Sequence, residues 1–123
     1  MAKQIILDIL NHKKTDRVPV GMWWHYTDPS EWGDKPGDEK RFERVFQGHL
    51  KYAKEAGLDL LKVMPDVYFV LPNLAGVDIL DEEQLKAVKP AAEDDLFFEE
   101  YVRLVKKLSE SLGEETAVFP TVF

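Results

Sequence analysis

Short apolar runs alternate with helical apolar stripes along this chain, and this alternation restricts its fold more than any other feature. The runs cover 18–24, 58–64 and 117–123, and they carry the β-branched and aromatic side chains that are typical of strands. Between the runs, apolar residues recur every three or four positions, as they do on one face of a helix. Helices and strands in regular alternation predict an α/β fold built on a parallel sheet.

The helices are predicted from these stripes and from the residues at their ends. The first covers about 2–11, and the second begins after Asp38 and ends at Gly57. A brief helix is expected after the capping residue Asp81, and a strong last stripe ends at Gly113. The helices therefore separate the predicted strands, as the crossover connections of a parallel sheet do.

The predicted sheet is small and incomplete. Its first strand is apolar without a break over 18–24, which predicts burial on both faces. The helices of this chain cannot cover both faces and both edges of such a sheet, and the last run reaches Phe123 with no helix after it. The chain is therefore predicted to be a single partial domain, 1–123, from the amino-terminal part of a larger α/β protein. A self-contained small domain is the alternative.

The charge balance argues against several classes of partner. The chain has 16 basic and 23 acidic side chains and a net charge of −7, so it lacks the basic patch that binds nucleic acids or anionic membranes. It has no cysteines, which excludes disulfides and thiolate sites within these residues. No apolar run approaches the roughly 20 residues that span a bilayer, and the amino terminus lacks a signal-peptide layout. These features predict a soluble cytoplasmic protein.

Three stretches of sequence carry a family resemblance. The first reads ILDILNH at 6–12 and then TDRVPV at 15–20. The second reads MPDVYFVLP at 64–72, followed by LAGV at 74–77, and the third reads VFPTVF at 118–123. Each stretch is short, but their order and spacing together are specific. On these motifs the chain resembles the uroporphyrinogen decarboxylase family, which includes corrinoid-linked methyltransferases.

The resemblance implies both a fold and an activity. The family fold is a (β/α)₈ TIM barrel, so this chain would supply its amino-terminal third, in agreement with the predicted partial sheet. The implied protein is a lyase of porphyrin biosynthesis, which removes carboxyl groups from the acetate side chains of a tetrapyrrole without a cofactor. The chain alone is expected to be inactive, because the later loops of a barrel complete its pocket.

Asp66 is the predicted catalytic residue. It follows the second predicted strand and so belongs at the carboxyl end of the sheet, where barrels of this kind have their active sites. The resemblance implies that its carboxylate accepts hydrogen bonds from pyrrole N–H groups and stabilises the positive charge that develops during decarboxylation. The alternative is a structural role, in which Asp66 caps a helix that begins at Val67.

The end of the first strand departs from the decarboxylase pattern. Decarboxylases carry two arginines there that pair with substrate carboxylates, whereas this chain has Trp24 and Asp28 at those positions. The expected small-molecule substrate is therefore more apolar or less anionic than uroporphyrinogen. Trp24, His25 and Tyr68 are the predicted substrate-binding residues. The alternative for the aromatic residues is packing against helices, and for a lone histidine it is a structural role.

Two other functions stay open at this point. A corrinoid-dependent methyltransferase of the same family would use a corrinoid and a zinc ion whose ligands lie outside this chain, and no metal site is predicted within the chain. A non-catalytic, truncated interaction module is the other alternative. The open sheet edges and the apolar inner face of a three-stranded fragment also predict self-association, most simply as a homodimer.

Overall fold

The computed structural model describes residues 1–32, 36–64, 66 and 70–121. Its helices are α1 (Ala2–Leu10), α2 (Glu39–Glu55), α3 (Glu82–Ala87) and α4 (Leu96–Leu112), and its strands are β1 (Gly21–Met22), β2 (Leu60–Val63) and β3 (Ala117–Pro120). Two short 3₁₀ helices lie at Pro29–Glu31 and Pro72–Leu74. The predicted α/β class is therefore confirmed.

The three strands form one parallel sheet in the order β1-β2-β3. Gly21 of β1 lies opposite Leu60 of β2, which lies opposite Ala117 of β3. Helices α2 and α4 pack on the same face of this sheet and against each other. The core consists of buried side chains from these two helices and from β2 with the residues around it: Phe42, Val45, Phe46, Ala53, Leu58, Leu61, Val63, Phe97, Leu104, Leu108 and Leu112.

The two long helices begin and end where the sequence predicts. The side chain of Asp38 accepts a hydrogen bond of 3.0 Å from the backbone N–H of Arg41, which satisfies one of the free donors in the first turn of α2. Gly57 follows α2 with a φ of +59°, and Gly113 follows α4 with a φ of +55°. Glycine adopts positive φ angles without the steric cost that a Cβ adds. The positive φ of Gly57 agrees with the left-handed end predicted for α2, and α4 ends at Gly113 as predicted, with a ψ of −126° there.

The first strand is shorter and more exposed than predicted. Within 18–24 only Gly21–Met22 pairs with β2, and both residues are exposed. β1 lies at the edge of the sheet as the structure describes it and has a neighbour on one side only. The unbroken apolar run therefore does not indicate burial on both faces, and that prediction is wrong for this strand. The central strand β2 also alternates between half-buried and buried residues.

An ion pair holds the segment before β1 against the start of β2. The two terminal guanidinium nitrogens of Arg17, Nη1 and Nη2, each lie 2.6 Å from a carboxylate oxygen of Asp59, which also accepts the backbone N–H of Val20 at 2.9 Å. Hydrogen bonding from Arg17 lowers the pKa of Asp59 to about 2. This bidentate pair explains the arginine before the strand, because it fixes the position of β1 relative to β2.

Helix α1 confirms the predicted helix at 2–11 to within one residue at its end. It lies near the start of β3, where the backbone N–H of Lys3 donates to the carbonyl of Glu114 at 3.3 Å and Ile6 is buried. Among the residues that the structure describes, no helix combines the length and the apolar content needed to cross a membrane.

Candidate functional site

The carboxyl ends of β1 and β2 bring His25 and Asp66 together. Because the two strands are parallel, the segments that leave them emerge at the same edge of the sheet. His25 Nδ1 lies 2.7 Å from Asp66 Oδ1, although 41 residues separate them in the chain. This edge is where enzymes with parallel α/β sheets commonly hold their catalytic side chains.

Both oxygens of the Asp66 carboxylate are used within the chain. Oδ1 faces the ring of His25, and Oδ2 accepts the backbone N–H of Tyr26 at 2.8 Å. The side chain of Asp66 has 0% exposure. Its backbone has a φ of +34°, a region that aspartate enters more readily than most residues other than glycine. The carboxylate of Asp66 therefore contacts His25 and the backbone of Tyr26 and has no surface exposed to solvent.

His25 carries the accessible part of the site. Its side chain is 46% exposed, and its ring lies 4.5 Å from the ring of Trp32, centroid to centroid. A carboxylate has no proton to give, so Nδ1 of His25 donates to Asp66, and no hydrogen bond to Nε2 is made by the residues that the structure describes. When neutral, this imidazole offers a lone pair at Nε2, and when protonated it offers an acidic N–H at the same atom.

The next residue, Tyr26, anchors the segment that carries His25. The ring of Tyr26 lies against α2 at Gly48, where an added Cβ would stand 2.8 Å from Tyr26 Cδ1. Glycine inside a helix costs about 1 kcal/mol relative to alanine, so its presence here has a packing reason. A glycine inside the helical stripe of α2 is therefore the sequence feature from which the close contact between Tyr26 and this helix could be predicted.

Tyr26 also packs against a buried histidine of α2, with the two rings tilted by 43°. Its ring lies 4.0 Å from that of His49, which has 0% exposure. His49 Nδ1 donates to the carbonyl of Val45 at 2.8 Å, and Nε2 accepts the backbone N–H of Met64 at 3.1 Å. Burial lowers the pKa of His49 to about 4, so the ring is neutral and joins α2 to the end of β2.

The structure brings together two of the four predicted site residues. Asp66 and His25 form one hydrogen-bonded pair, and the sequence did not predict that pairing. Trp24 is exposed next to His25 in the chain, and Tyr68 lies outside the described residues. The alternative role of Asp66, as the cap of a helix that begins at Val67, also depends on a residue that lies outside the described residues.

Asp28, the other residue at an arginine position of the decarboxylases, has a local structural role. Its side chain accepts the backbone N–H of Ser30 at 2.9 Å, and its own backbone N–H donates to Glu31. This capping box starts the 3₁₀ helix at Pro29–Glu31. Arg44 pairs with Glu31 rather than with the carboxyl edge of β1. Neither position at which the decarboxylases carry an arginine therefore supplies a cation in this chain.

Two buried hydroxyl groups beside the site have no hydrogen-bond partner among the residues that the structure describes: Tyr26 Oη and Thr27 Oγ1. Burial raises the pKa of Tyr26, so this phenol stays protonated. Across the same part of the chain, no three histidine, aspartate or glutamate side chains gather in a group that would hold a metal ion. These residues therefore do not fit a zinc centre.

The chain was compared with protein-family models, with curated proteins and with solved structures, and none of the three comparisons found a match.

Proposed function

We propose that this sheet is the first part of a (β/α)₈ barrel. The proposal is supported by the winding of the chain, because β1, β2 and β3 are neighbours in sequence order and all parallel. Helices α2 and α4 both pack on one face of the sheet. A doubly wound sheet reverses its strand order and carries helices on both faces. In a barrel the strands follow one another in sequence order, and the helices all lie on the outer face.

The proposed activity is proton transfer in a decarboxylation, in an enzyme that resembles uroporphyrinogen decarboxylase. The single observation that carries it is the pair of His25 and Asp66 at the carboxyl edge of the sheet, with Nδ1 of the histidine 2.7 Å from the carboxylate. A buried carboxylate that orients a half-exposed imidazole is a common arrangement for general acid–base catalysis.

In the proposed step, the carbon–carbon bond between a carboxylate and an aryl-linked methylene breaks. Carbon dioxide leaves, and the methylene carbon that keeps the electron pair takes one proton from Nε2 of protonated His25. The imidazole becomes neutral and regains its proton from solvent. Asp66 holds the orientation of the ring by accepting its Nδ1–H, so it is a positioning residue and not a group in contact with the substrate.

This assignment differs from the role that the resemblance implies for Asp66. The resemblance has the carboxylate facing the pyrrole N–H groups directly. Here both of its oxygens already accept hydrogen bonds, from His25 and from the backbone of Tyr26, and its side chain has 0% exposure. The contact with substrate therefore falls to His25 in this proposal.

A corrinoid-dependent methyltransferase is the second candidate. The observation that favours it is the replacement of both expected arginines by Trp24 and Asp28 at the end of the first strand. Asp28 would repel a substrate rich in carboxylates. Its side chain caps the 3₁₀ helix, so this position does not supply the positive charge that the decarboxylases have there. The described residues do not fit a zinc site, so the zinc of that reaction would need ligands from outside them.

The test is an assay of carbon dioxide release from uroporphyrinogen and from simpler aryl acetates. It is run on the 123-residue chain and, where the gene extends past Phe123, on the full gene product. The chain alone is expected to be inactive. In the full product His25→Gln should lower turnover by about 100-fold or more, because a positioned acid contributes roughly that much.

The matched control is His12→Gln, which alters an exposed histidine that follows α1 and should leave turnover unchanged. Methyl transfer from methylcobalamin to a thiol, without any release of carbon dioxide, would favour the second candidate. If neither reaction occurs in the full product, both proposed activities are wrong.

A further inference from the structure

Two contacts hold the ring of His25, and they act on different parts of it. At one edge, Nδ1 donates to Oδ1 of Asp66 at 2.7 Å. The ring of Trp32 lies 4.5 Å from the imidazole, centroid to centroid, and the two planes are tilted by 37°. This separation is that of a packed aromatic pair, so the indole covers part of the face of the imidazole. The hydrogen bond therefore holds an edge of the ring, and Trp32 holds a face.

The hydrogen bond alone does not fix the plane of the imidazole. A bond at one atom lets the ring pivot about the line from Nδ1 to the carboxylate, and the χ2 angle of a histidine has a broad distribution. The side chain of His25 is half-exposed, so its surroundings do not enclose it on all sides. The contact with Trp32 restricts this pivoting because a tilted ring would lose the packed indole. Together the two contacts determine the direction in which Nε2 points.

Trp32 is itself held by a turn with its own hydrogen bonds. It directly follows the first 3₁₀ helix, and its backbone N–H donates to the carbonyl of Pro29 at 3.2 Å. The backbone N–H of Glu31 donates to the carbonyl of Asp28 at 2.8 Å. The carboxylate of Asp28 accepts both the backbone N–H and the hydroxyl of Ser30, at 2.9 Å and 2.6 Å. These bonds give the turn one conformation, and Trp32 lies at its end.

Glu31 attaches this turn to α2. Its Oε1 pairs with Nη2 of Arg44, a residue of α2, and its Oε2 lies 3.3 Å from the backbone N–H of Asp28, which donates to it. Tyr26, at the other end of the same segment, packs against α2 at Gly48. The segment 26–32 is therefore fastened to one helix at both ends, next to His25 on one side and next to Trp32 on the other.

We propose that Trp32 is a positioning residue for His25 and that the ion pair of Glu31 and Arg44 holds Trp32 in place. Trp32 fixes the plane of the imidazole, whereas Asp66 fixes its Nδ1 edge. A general acid contributes only when its proton faces the reacting atom, so a fixed plane favours proton transfer from Nε2. The effect on turnover rests on the proposed function, and the contact between the two rings does not.

NMR spectra of the 123-residue chain test the contact. A nuclear Overhauser effect is expected between the ring protons of Trp32 and His25, and the ring current of the indole should shift the His25 ring signals upfield. Trp32→Ala should move these signals toward those of the exposed His12, and Trp32→Phe should keep part of the shift. The matched control is Trp23→Ala, because that ring lies 5.0 Å from Nζ of Lys62 and should leave the His25 signals unchanged.

The same Overhauser effect tests the role of the ion pair. Arg44→Gln should weaken it, because Glu31 loses its partner on α2. The matched control is Lys51→Gln, which removes an exposed cation of the same helix that pairs with Glu55 and should leave the effect at full strength. Urea unfolding of both variants should give nearly the same midpoint as the unmodified chain, because ion pairs near the surface contribute little to stability. The loss in Arg44→Gln is then local.

Turnover of the full gene product tests the consequence for the reaction. Trp32→Ala should lower kcat about two- to tenfold, which is the factor by which an aromatic pair favours one ring orientation. KM should stay unchanged, because the indole acts on the proton-transfer step and not on substrate binding. Trp32→Phe should restore kcat to within about twofold, because it keeps a ring that packs on the imidazole.

The proposal is overturned if no Overhauser effect joins the two rings, or if Arg44→Gln leaves that effect at full strength. It is also overturned if Trp32→Ala raises KM and leaves kcat unchanged, because Trp32 would then contact the substrate. If His25→Gln leaves carbon dioxide release unchanged, the proposed reaction fails and the NMR results decide whether Trp32 positions His25. If release depends on His25 but Trp32→Ala has no effect on it, the reaction stands and the role of Trp32 is wrong.

Discussion

The ring of Tyr26 lies 4.0 Å from the ring of His49, so a residue next to the acid–base pair rests on a fully buried histidine of the helix core. The backbone N–H of the same tyrosine donates to Asp66 at 2.8 Å. Through these two contacts the packing of α2 determines where the segment carrying His25 lies. A change in the helix should therefore be detectable at the site.

His49 should make the fold sensitive to mild acid. Its pKa falls from 6.5 to about 4 in the folded chain, so between these values only the unfolded chain takes up the proton. The contribution to stability is complete above pH 6.5 and is lost as the pH falls through about 4; the shift corresponds to roughly 3 kcal/mol. Urea unfolding of the chain and of His49→Gln across this range checks it. Equal pH dependence in the two proteins would contradict the prediction.

Gly48→Ala should displace Tyr26 and disturb the pair. The new Cβ would stand 2.8 Å from Tyr26 Cδ1 and 2.9 Å from Tyr26 Cβ, so the tyrosine backbone has to move. The gain in helix propensity of about 1 kcal/mol is outweighed by overpacking of about 1–3 kcal/mol. We expect a net loss of stability together with a shifted His25 signal in NMR spectra. The control Gln47→Ala changes an exposed position of α2 and should leave that signal in place.

Asp66→Asn should reverse the tautomer of His25. An amide has a single carbonyl oxygen, and the backbone N–H of Tyr26 can only donate, so the oxygen stays with Tyr26 and the NH₂ group turns to His25. His25 Nδ1 then becomes an acceptor, and its proton moves to Nε2. Nitrogen-15 NMR of the imidazole rings measures this directly, with His12 and His49 as internal references. If His25 keeps its proton on Nδ1, the hydrogen-bond assignment is wrong.

The ion pair of Arg17 and Asp59 should stabilise the chain at neutral pH and not in strong acid. The pKa of Asp59 is lowered from 3.8 to about 2, so its contribution is complete above pH 3.8 and is lost as the pH falls through about 2. The shift corresponds to roughly 2 kcal/mol, and solvent around the half-exposed arginine reduces this to about 1 kcal/mol. Arg17→Gln should show that loss at pH 7 but not at pH 2. Lys3→Gln, in an exposed pair, should lose almost nothing at either pH.

The exposed apolar face of the sheet should drive self-association. Burial of about 400 Å² of apolar surface contributes on the order of 10 kcal/mol before the cost of association, and the repulsion between acidic chains is screened by salt. Sedimentation over a range of concentrations should show a dimer, and Phe119→Ser should weaken it. Leu85→Ser, at an exposed position of α3, should have no effect. A compact monomer near about 100 µM would contradict the prediction, because micromolar affinities saturate there.

The sequence alone determined the class of the fold and the ends of its long helices. The stripes of α2 and α4 have a period that only a helix satisfies, and Asp38, Gly57 and Gly113 supply end groups that act within one turn of the chain. Helix periodicity and helix ends depend on residues only a few positions apart, so they can be predicted from the sequence. Asp66 and His25 were also singled out from the sequence, each as a separate candidate.

Only the tertiary structure decided how these residues work together. The pairing of His25 with Asp66 joins residues 41 apart, and it exists because parallel strands place their carboxyl ends at one edge. The exposure of β1 likewise depends on its place at the edge of the sheet, which an apolar run does not encode. Burial and hydrogen bonding to distant groups set the chemistry of a side chain, and both arise only when the strands and helices have packed.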